Sequence, residues 1–234
     1  LSALVIENES FSYNVHYSAR RRSVALQIKQ GQLTVRAPLG YGLTDVKTLV
    51  EQKKLWILKH LQQSAMQLKP DWLALQQVPL LGTMLTLELR RAVKSSVDLC
   101  NDTLVVTVSC RTQANGYNKR VQALLQHWYK AQAVNWFTER VGYWQNRMQL
   151  KAADLVIGNW RTKWGYCKNT AQLGFNWRLL MAPAWVADYV VVHELAHLKH
   201  LNHSPRFWQL VAEHYPQAEQ AKIWLRQHQY QLEL

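Results

Sequence analysis

The chain is poor in cysteine, and its cysteines are not paired in spacing. Cys100, Cys110 and Cys167 are the only three, they are far apart, and no C-x-x-C occurs. An odd, scattered set argues against a disulfide framework or a thiolate zinc site, and makes a reducing cytoplasm the expected compartment. Cys100 and Cys110 flank a strand-turn-strand pattern and read as buried apolar residues, as does Cys167 in its loop. Acidic residues are also scarce, 15 against 28 Lys and Arg, for a net charge of +13. The excess is spread along the chain, with Arg20-Arg21-Arg22 and Lys53-Lys54 among its local clusters. Such a field attracts nucleic acid and other polyanions without specificity, and a solvated basic surface is the simpler account of it. No apolar run is long enough to span a bilayer, so no membrane association is expected. Leu1 to Glu9 lacks the basic and apolar regions of a signal peptide. Internal repeats, low-complexity tracts and a Walker-type glycine-rich loop are likewise missing.

Histidine, by contrast, is concentrated. Residues 193–203 read H-E-L-A-H-L-K-H-L-N-H. His193 and His197 are four apart, so on a helix they project from one face, one turn apart. Two imidazoles so placed can grip one Zn²⁺ at about 2.0–2.1 Å each. Glu194 is free to act on a water beside the metal. His203, six residues after His197, lies beyond a helix break at Asn202 and can turn back as the third ligand, in preference to His200 or to Glu213 and His214 downstream. Three protein ligands and an open position make a catalytic rather than a structural zinc. With 9 His and 9 Glu in 234 residues, H-E-x-x-H arises in about 1 in 80 shuffled chains, and with His203 at its spacing in about 1 in 2,000. Four histidines and a glutamate among apolar neighbours would also be costly to bury without a common partner. Three imidazoles accept Ni²⁺, Co²⁺ or Fe²⁺ as well, so the metal is not fixed by the motif.

The rest of the chain reads as α+β. Period-two alternation predicts strands over Phe11–Tyr17, Val24–Ile28 and Leu33–Ala37, the last two joined at Gln30-Gly31-Gln32. A helix is expected from an N-cap at Thr44 to about Met66. Pro70–Pro79 reads as a linker around Trp72, Leu81–Arg91 as a strand opening at a Leu-Gly turn, and Ser96–Cys110 as a hairpin turning at Asn101-Asp102. One long helix spans Tyr117–Met148, with Val121, Leu125, Trp128, Val134, Phe137, Val141 and Trp144 on one face. Asp154–Trp160 and Ala171–Arg178 read as strands around a basic loop, Arg161–Asn169. Pro183 opens the helix carrying His193, Ser204 caps another with Pro205 in its first turn, and a last helix covers Gln217–Gln229. The expected division is a β-rich region over residues 1–115 and a catalytic domain over 116–234.

Four segments carry a family resemblance: Arg161-Thr162-Lys163-Trp164-Gly165-Tyr166-Cys167, Leu173 to Leu179, Asp188 to His197, and Asn202-His203-Ser204-Pro205-Arg206-Phe207-Trp208. With them the chain resembles the YgjP-like metal-dependent hydrolases, grouped with the SprT and WLM zincin-like peptidases. Arg20 to Ser23, Val35 to Pro38 and Lys54 to Ile57 support the likeness upstream. The resemblance implies zinc on His193, His197 and His203, Glu194 as base, and a minimal zincin-like core of long helix, small sheet and metal helix. Tyr166 departs from the small Ser usual in the family.

Further candidates are substrate-binding groups. Asn176 is placed on a strand edge that pairs with an extended peptide. Arg161, Lys163 and Trp164 form a loop able to hold a phosphate or stack a base, or else to pack structurally. Arg206 is a candidate for stabilising an oxyanion. Three functions compete. One is a zinc metallopeptidase. Another is a metal-dependent nucleoside triphosphate (UTP) pyrophosphatase. The third is a protease of the SprT/WLM kind that meets DNA through its basic surface.

Overall fold

The computed structural model of the chain describes residues 4–7, 10–29, 31–66 and 69–234. Leu1–Ala3, Asn8, Glu9 and Gln30, on which the reading of the chain start and of the first hairpin turn partly rests, lie outside them. Contacts divide the chain into two units, residues 1–69 with 227–231, and residues 70–226 with 232–234. The boundary read from sequence at 115/116 falls inside the larger unit. The strands before it share one core with the long helix that follows.

The smaller unit is a four-stranded sheet with helices on one face. Strands β1 (Leu4–Glu7), β2 (Ser12–Ser18), β3 (Ala25–Lys29) and β4 (Gln32–Pro38) are ordered β1-β2-β4-β3. Alternation places Tyr13, Val15, Leu33, Val35 and Ala37 on the covered face. The single helix expected from Thr44 is two, α1 (Leu43–Gln52) and α2 (Lys54–Met66), and its N-cap is Gly42 rather than Thr44. The break at Lys53 allows Val46 and Val50 of α1 and Ile57 of α2 all to be buried in one core.

The larger unit begins with a second four-stranded sheet. It is built from β5 (Gln77–Leu80), β6 (Thr83–Ala92), β7 (Ser96–Cys100) and β8 (Thr103–Ser109), ordered β5-β6-β8-β7. Gly82, at φ +98, makes the tight turn between β5 and β6. Strand β5 was hidden in the expected linker because it carries Pro79, which an edge strand tolerates. Cys100 and Cys110 are exposed, not buried, because Cys100 ends β7 and Cys110 lies in the turn just after β8.

Helix α3 (Tyr117–Met148) covers this sheet and reaches the metal-motif region. Its buried stripe includes Tyr129 and Ala133, while Val134, expected inside, is half exposed. Over 32 residues the 3.6-residue period drifts, so the inward position moves to Ala133. Phe137 stacks on Phe175 at 4.6 Å between ring centroids, tying α3 to a third, three-stranded sheet. That sheet is β10 (Gly165–Cys167), β11 (Gln172–Asn176) and β9 (Asp154–Gly158), in that spatial order. β10 pairs antiparallel and β9 parallel to the central β11. β10 lies within the expected basic loop, too short for its alternation to show.

Helix α4 (Ala184–Ala196) packs on α3 and carries the H-E-x-x-H residues. Asp188 fixes the pairing. It accepts from Arg140 Nε and Nη2 at 2.7 and 2.8 Å and from Trp144 Nε1 at 3.0 Å. α5 (Pro205–His214) and α6 (Ala218–His228, to Arg226 in this unit) follow, and the Ser204 hydroxyl accepts from the Phe207 amide as the expected cap. Among the described residues, no helix is long and apolar enough to cross a membrane.

Candidate metal centre

His193 projects from the last turn of α4, and His197 caps its C-terminus with helical backbone angles. The helix ends there, earlier than the break read at Asn202, and a turn through Lys199 leads to His203. One ring nitrogen from each of His193, His197 and His203 lies within 4.8 Å of the others. His193 Nε2 and His203 Nε2 face each other at 3.0 Å. A tetrahedral zinc with bonds of about 2.0–2.1 Å would set two nitrogens about 3.3 Å apart, so the pair needs only a slight opening.

The protonation pattern fits a cation. His197 Nδ1 lies 3.0 Å from the His200 carbonyl, to which it can only donate, leaving Nε2 with its lone pair. Burial holds the His193 imidazole neutral, its pKa pushed down to about 3, with His197, His203 and Lys222 adding repulsion. Burial also lowers the pKa of His197. His193 Nδ1 meets the Tyr189 hydroxyl at 3.4 Å, one helical turn back. The Phe207 ring lies within 5 Å of all three imidazoles, 4.9, 4.6 and 4.8 Å between centroids, and forms an apolar floor. Trp208 stacks on His203 at 5.5 Å. His200 contributes its carbonyl, not its ring.

Glu194 is buried beside this triad, 6 % exposed. Desolvation raises its pKa to about 8, against the lowering effect of Lys163. No donor among the described residues hydrogen-bonds its carboxylate. Gly165 of β10 lies against it, so close that a Cβ there would meet Glu194 Oε1 at 2.6 Å. The two flank a cavity of about 490 Å³, lined also by Lys163, Trp164, Tyr189, His193 and Lys222.

Of the other residues singled out by sequence, only some line this cavity. Lys163 and Trp164 line it. Arg161 and Arg206 are exposed and do not. Asn176 is not on a sheet edge: β11 is the central strand, and the residue is buried. Its side-chain amide donates to the Trp160 and Lys163 carbonyls at 2.7 and 3.1 Å, and its oxygen accepts from the Arg178 amide at 3.2 Å. It is a staple for the loop, and the strand edge beside the cavity belongs to β10. Tyr189 and the Phe207 floor are additions to the sequence reading. Tyr189 could have been found from its i, i+4 spacing to His193.

A helix bearing His, Glu and His, closed by a third His from the following turn, defines a metal-dependent hydrolase of the H-E-x-x-H type. The family comparison agrees. The YgjP-like metallopeptidase domain matches residues 22–228, and the chain belongs to that family. Among solved structures, the metallopeptidase zymogen of Pyrococcus abyssi abylysin is similar at 19% identity and a TM-score of 0.37, over 41% of this chain and 97% of that one. No curated protein matches the chain.

Proposed function

We propose that the protein is a zinc-dependent peptidase, with His193, His197 and His203 holding the metal and Glu194 as the general base. The observation that supports this most directly is the convergence of three imidazole nitrogens beside an unpaired, buried carboxylate at the wall of a cavity. When bound, zinc supplies Lewis acidity toward a carbonyl and makes a nearby water more acidic. Glu194 takes the proton of the attacking water and returns it to the leaving amine, a shuttle for which a carboxyl raised toward neutrality is suited. Tyr189 and the His200 carbonyl hold the His193 and His197 rings in orientation. The free edge of β10 offers main-chain groups to an extended peptide, the role read from sequence for Asn176. Glu194→Gln should keep its metal and lose hydrolysis across a panel of peptides and unfolded proteins; turnover retained in that variant would sink the mechanism.

A second reading, nucleoside triphosphate hydrolysis, is favoured by the cations Lys163, Lys222 and Arg226 along the same cavity. Metal-dependent pyrophosphate release that Glu194→Gln abolishes, with no peptide cleavage, would select it.

A further inference from the structure

The loop between β9 and β10 carries a device that the metal centre does not account for. Trp160 folds back over Gly158 and Tyr166 lies over Gly174, and in both places a Cβ would come within 2.2 Å of the ring. These glycines are on neighbouring strands, β9 and β11, so two side chains' worth of sheet surface is given up to seat two rings. The rings meet edge to face at 5.1 Å. Over them lies the Lys163 ammonium, 4.6 Å from the Tyr166 centroid and 5.1 Å from that of Trp160. Asn176 staples the loop from beneath at the Trp160 and Lys163 carbonyls.

The Lys163 ammonium has no ion pair or hydrogen bond among the described residues; its contacts are the two ring faces. It lines the cavity with Gly165, His193 and Glu194, and its charge is felt at the Glu194 carboxyl. Lys222, across the same cavity, is instead taken up by Glu219 at 2.8 Å and by the Trp208 face at 4.5 Å. An ammonium held on aromatic faces is positioned without a salt-bridged carboxylate, so its donors stay available to a substrate. A cation fixed in advance beside the reacting bond stabilises charge that appears only in the transition state.

The geometry points to Lys163 as a catalytic residue whose ammonium stabilises the negative charge developing on the substrate's carbonyl oxygen, with Trp160 and Tyr166 as its positioning residues. This rests on the peptidase reading above. Water oxygen bonds to the carbonyl carbon as the π pair moves onto the carbonyl oxygen facing Lys163, and Glu194 takes the water proton. The C–N bond then breaks, the carbonyl re-forms, and the proton passes to the departing nitrogen.

The test is steady-state kinetics of wild type, Lys163→Met, Lys163→Arg and Tyr166→Ser on a panel of internally quenched peptides. It is joined by calorimetric affinity for a phosphinic alanine–alanine pseudopeptide, whose tetrahedral anion copies the charge. Lys163→Met should lower kcat about 100-fold or more with KM little changed, and weaken the phosphinate to a similar degree. Lys163→Arg should recover most of both, Tyr166→Ser should fall between, and metal content should stay constant throughout. An unchanged kcat, or a loss confined to KM, would overturn the assignment, the latter making Lys163 a docking group for a substrate carboxylate. A wild-type protein that cleaves no peptide counts against the peptidase reading instead. Lys163 is then judged by the same kcat ratio on nucleoside triphosphates, where an undiminished rate in Lys163→Met overturns it.

Discussion

Gly165→Ala isolates the contact between β10 and the Glu194 carboxylate. The added methyl would lie 2.6 Å from Oε1, 2.8 Å from Cγ and 2.9 Å from Cδ of Glu194. Ordinary contact begins near 3.4 Å, so the carboxylate or the strand must give by close to 0.8 Å at the tightest atom. The strand cannot yield easily, since Gly165 is paired with Phe175 and Phe175 is stacked on α3. The carboxylate is therefore the part that moves, and it is the part proposed to take the water's proton. A misplacement of about 1 Å costs about 100-fold in rate, while overpacking a filled site costs about 1–3 kcal/mol of stability. The expected result is a protein that still folds and binds metal with the wild-type stoichiometry, but whose kcat falls about 100-fold. Peptide hydrolysis and metal analysis on the same preparation check it. Full activity in Gly165→Ala would refute the claim that this close approach sets the position of Glu194.

Other outcomes follow from neighbouring groups. In chelator-stripped protein, Glu194 has a folded pKa of about 8 above its ordinary 4.5, so its contribution is present below 4.5 and lost as pH rises to 8. By linkage the loss is on the order of 3–5 kcal/mol, removed in Glu194→Gln; urea midpoints that stay level from pH 6.5 to 8 in the wild-type protein would contradict it. His193 runs the other way, depressed to about 3, so its contribution is lost as pH falls from 6.5 toward 3, and the stripped protein should be most stable between 4.5 and 6.5, where the two slopes cancel. Asp188→Asn breaks the charged pair that ties α4 to α3 and should cost about 2–4 kcal/mol in denaturant unfolding; a variant as stable as wild type would show the pair to be dispensable. His203→Ala should lose bound metal while His200→Ala keeps it, because His200 offers only its backbone carbonyl; the reverse pattern on metal analysis would exchange their roles.

How much of this was legible in the sequence depends on how local the cause is. The long helix, the hairpin at Asn101 and the cap at Ser204 rest on periodicity and turn chemistry within a few residues, and the structure has them where the sequence puts them. The His193–His203 constellation was legible for the same reason: helix spacing sets two imidazoles side by side, and a short turn returns the third. What the sequence could not show depends on partners far along the chain. Asn176 looks like any polar residue in a strand; only the sheet order, with β10 outside β11, turns it inward to hold the Trp160 and Lys163 carbonyls. Cys100 and Cys110 are apolar in character, but a strand end and a turn leave them in solvent. Tyr166 is the sharpest case. As a departure from the small residue usual at its place it has no role that the resemblance assigns, yet its ring packs over Gly174 and carries the Lys163 ammonium. Those three residues read singly carry no signal. Read together in space they form the aromatic seat of a cation beside Glu194, so a side chain added at Gly174 should displace the Tyr166 ring and with it the Lys163 ammonium.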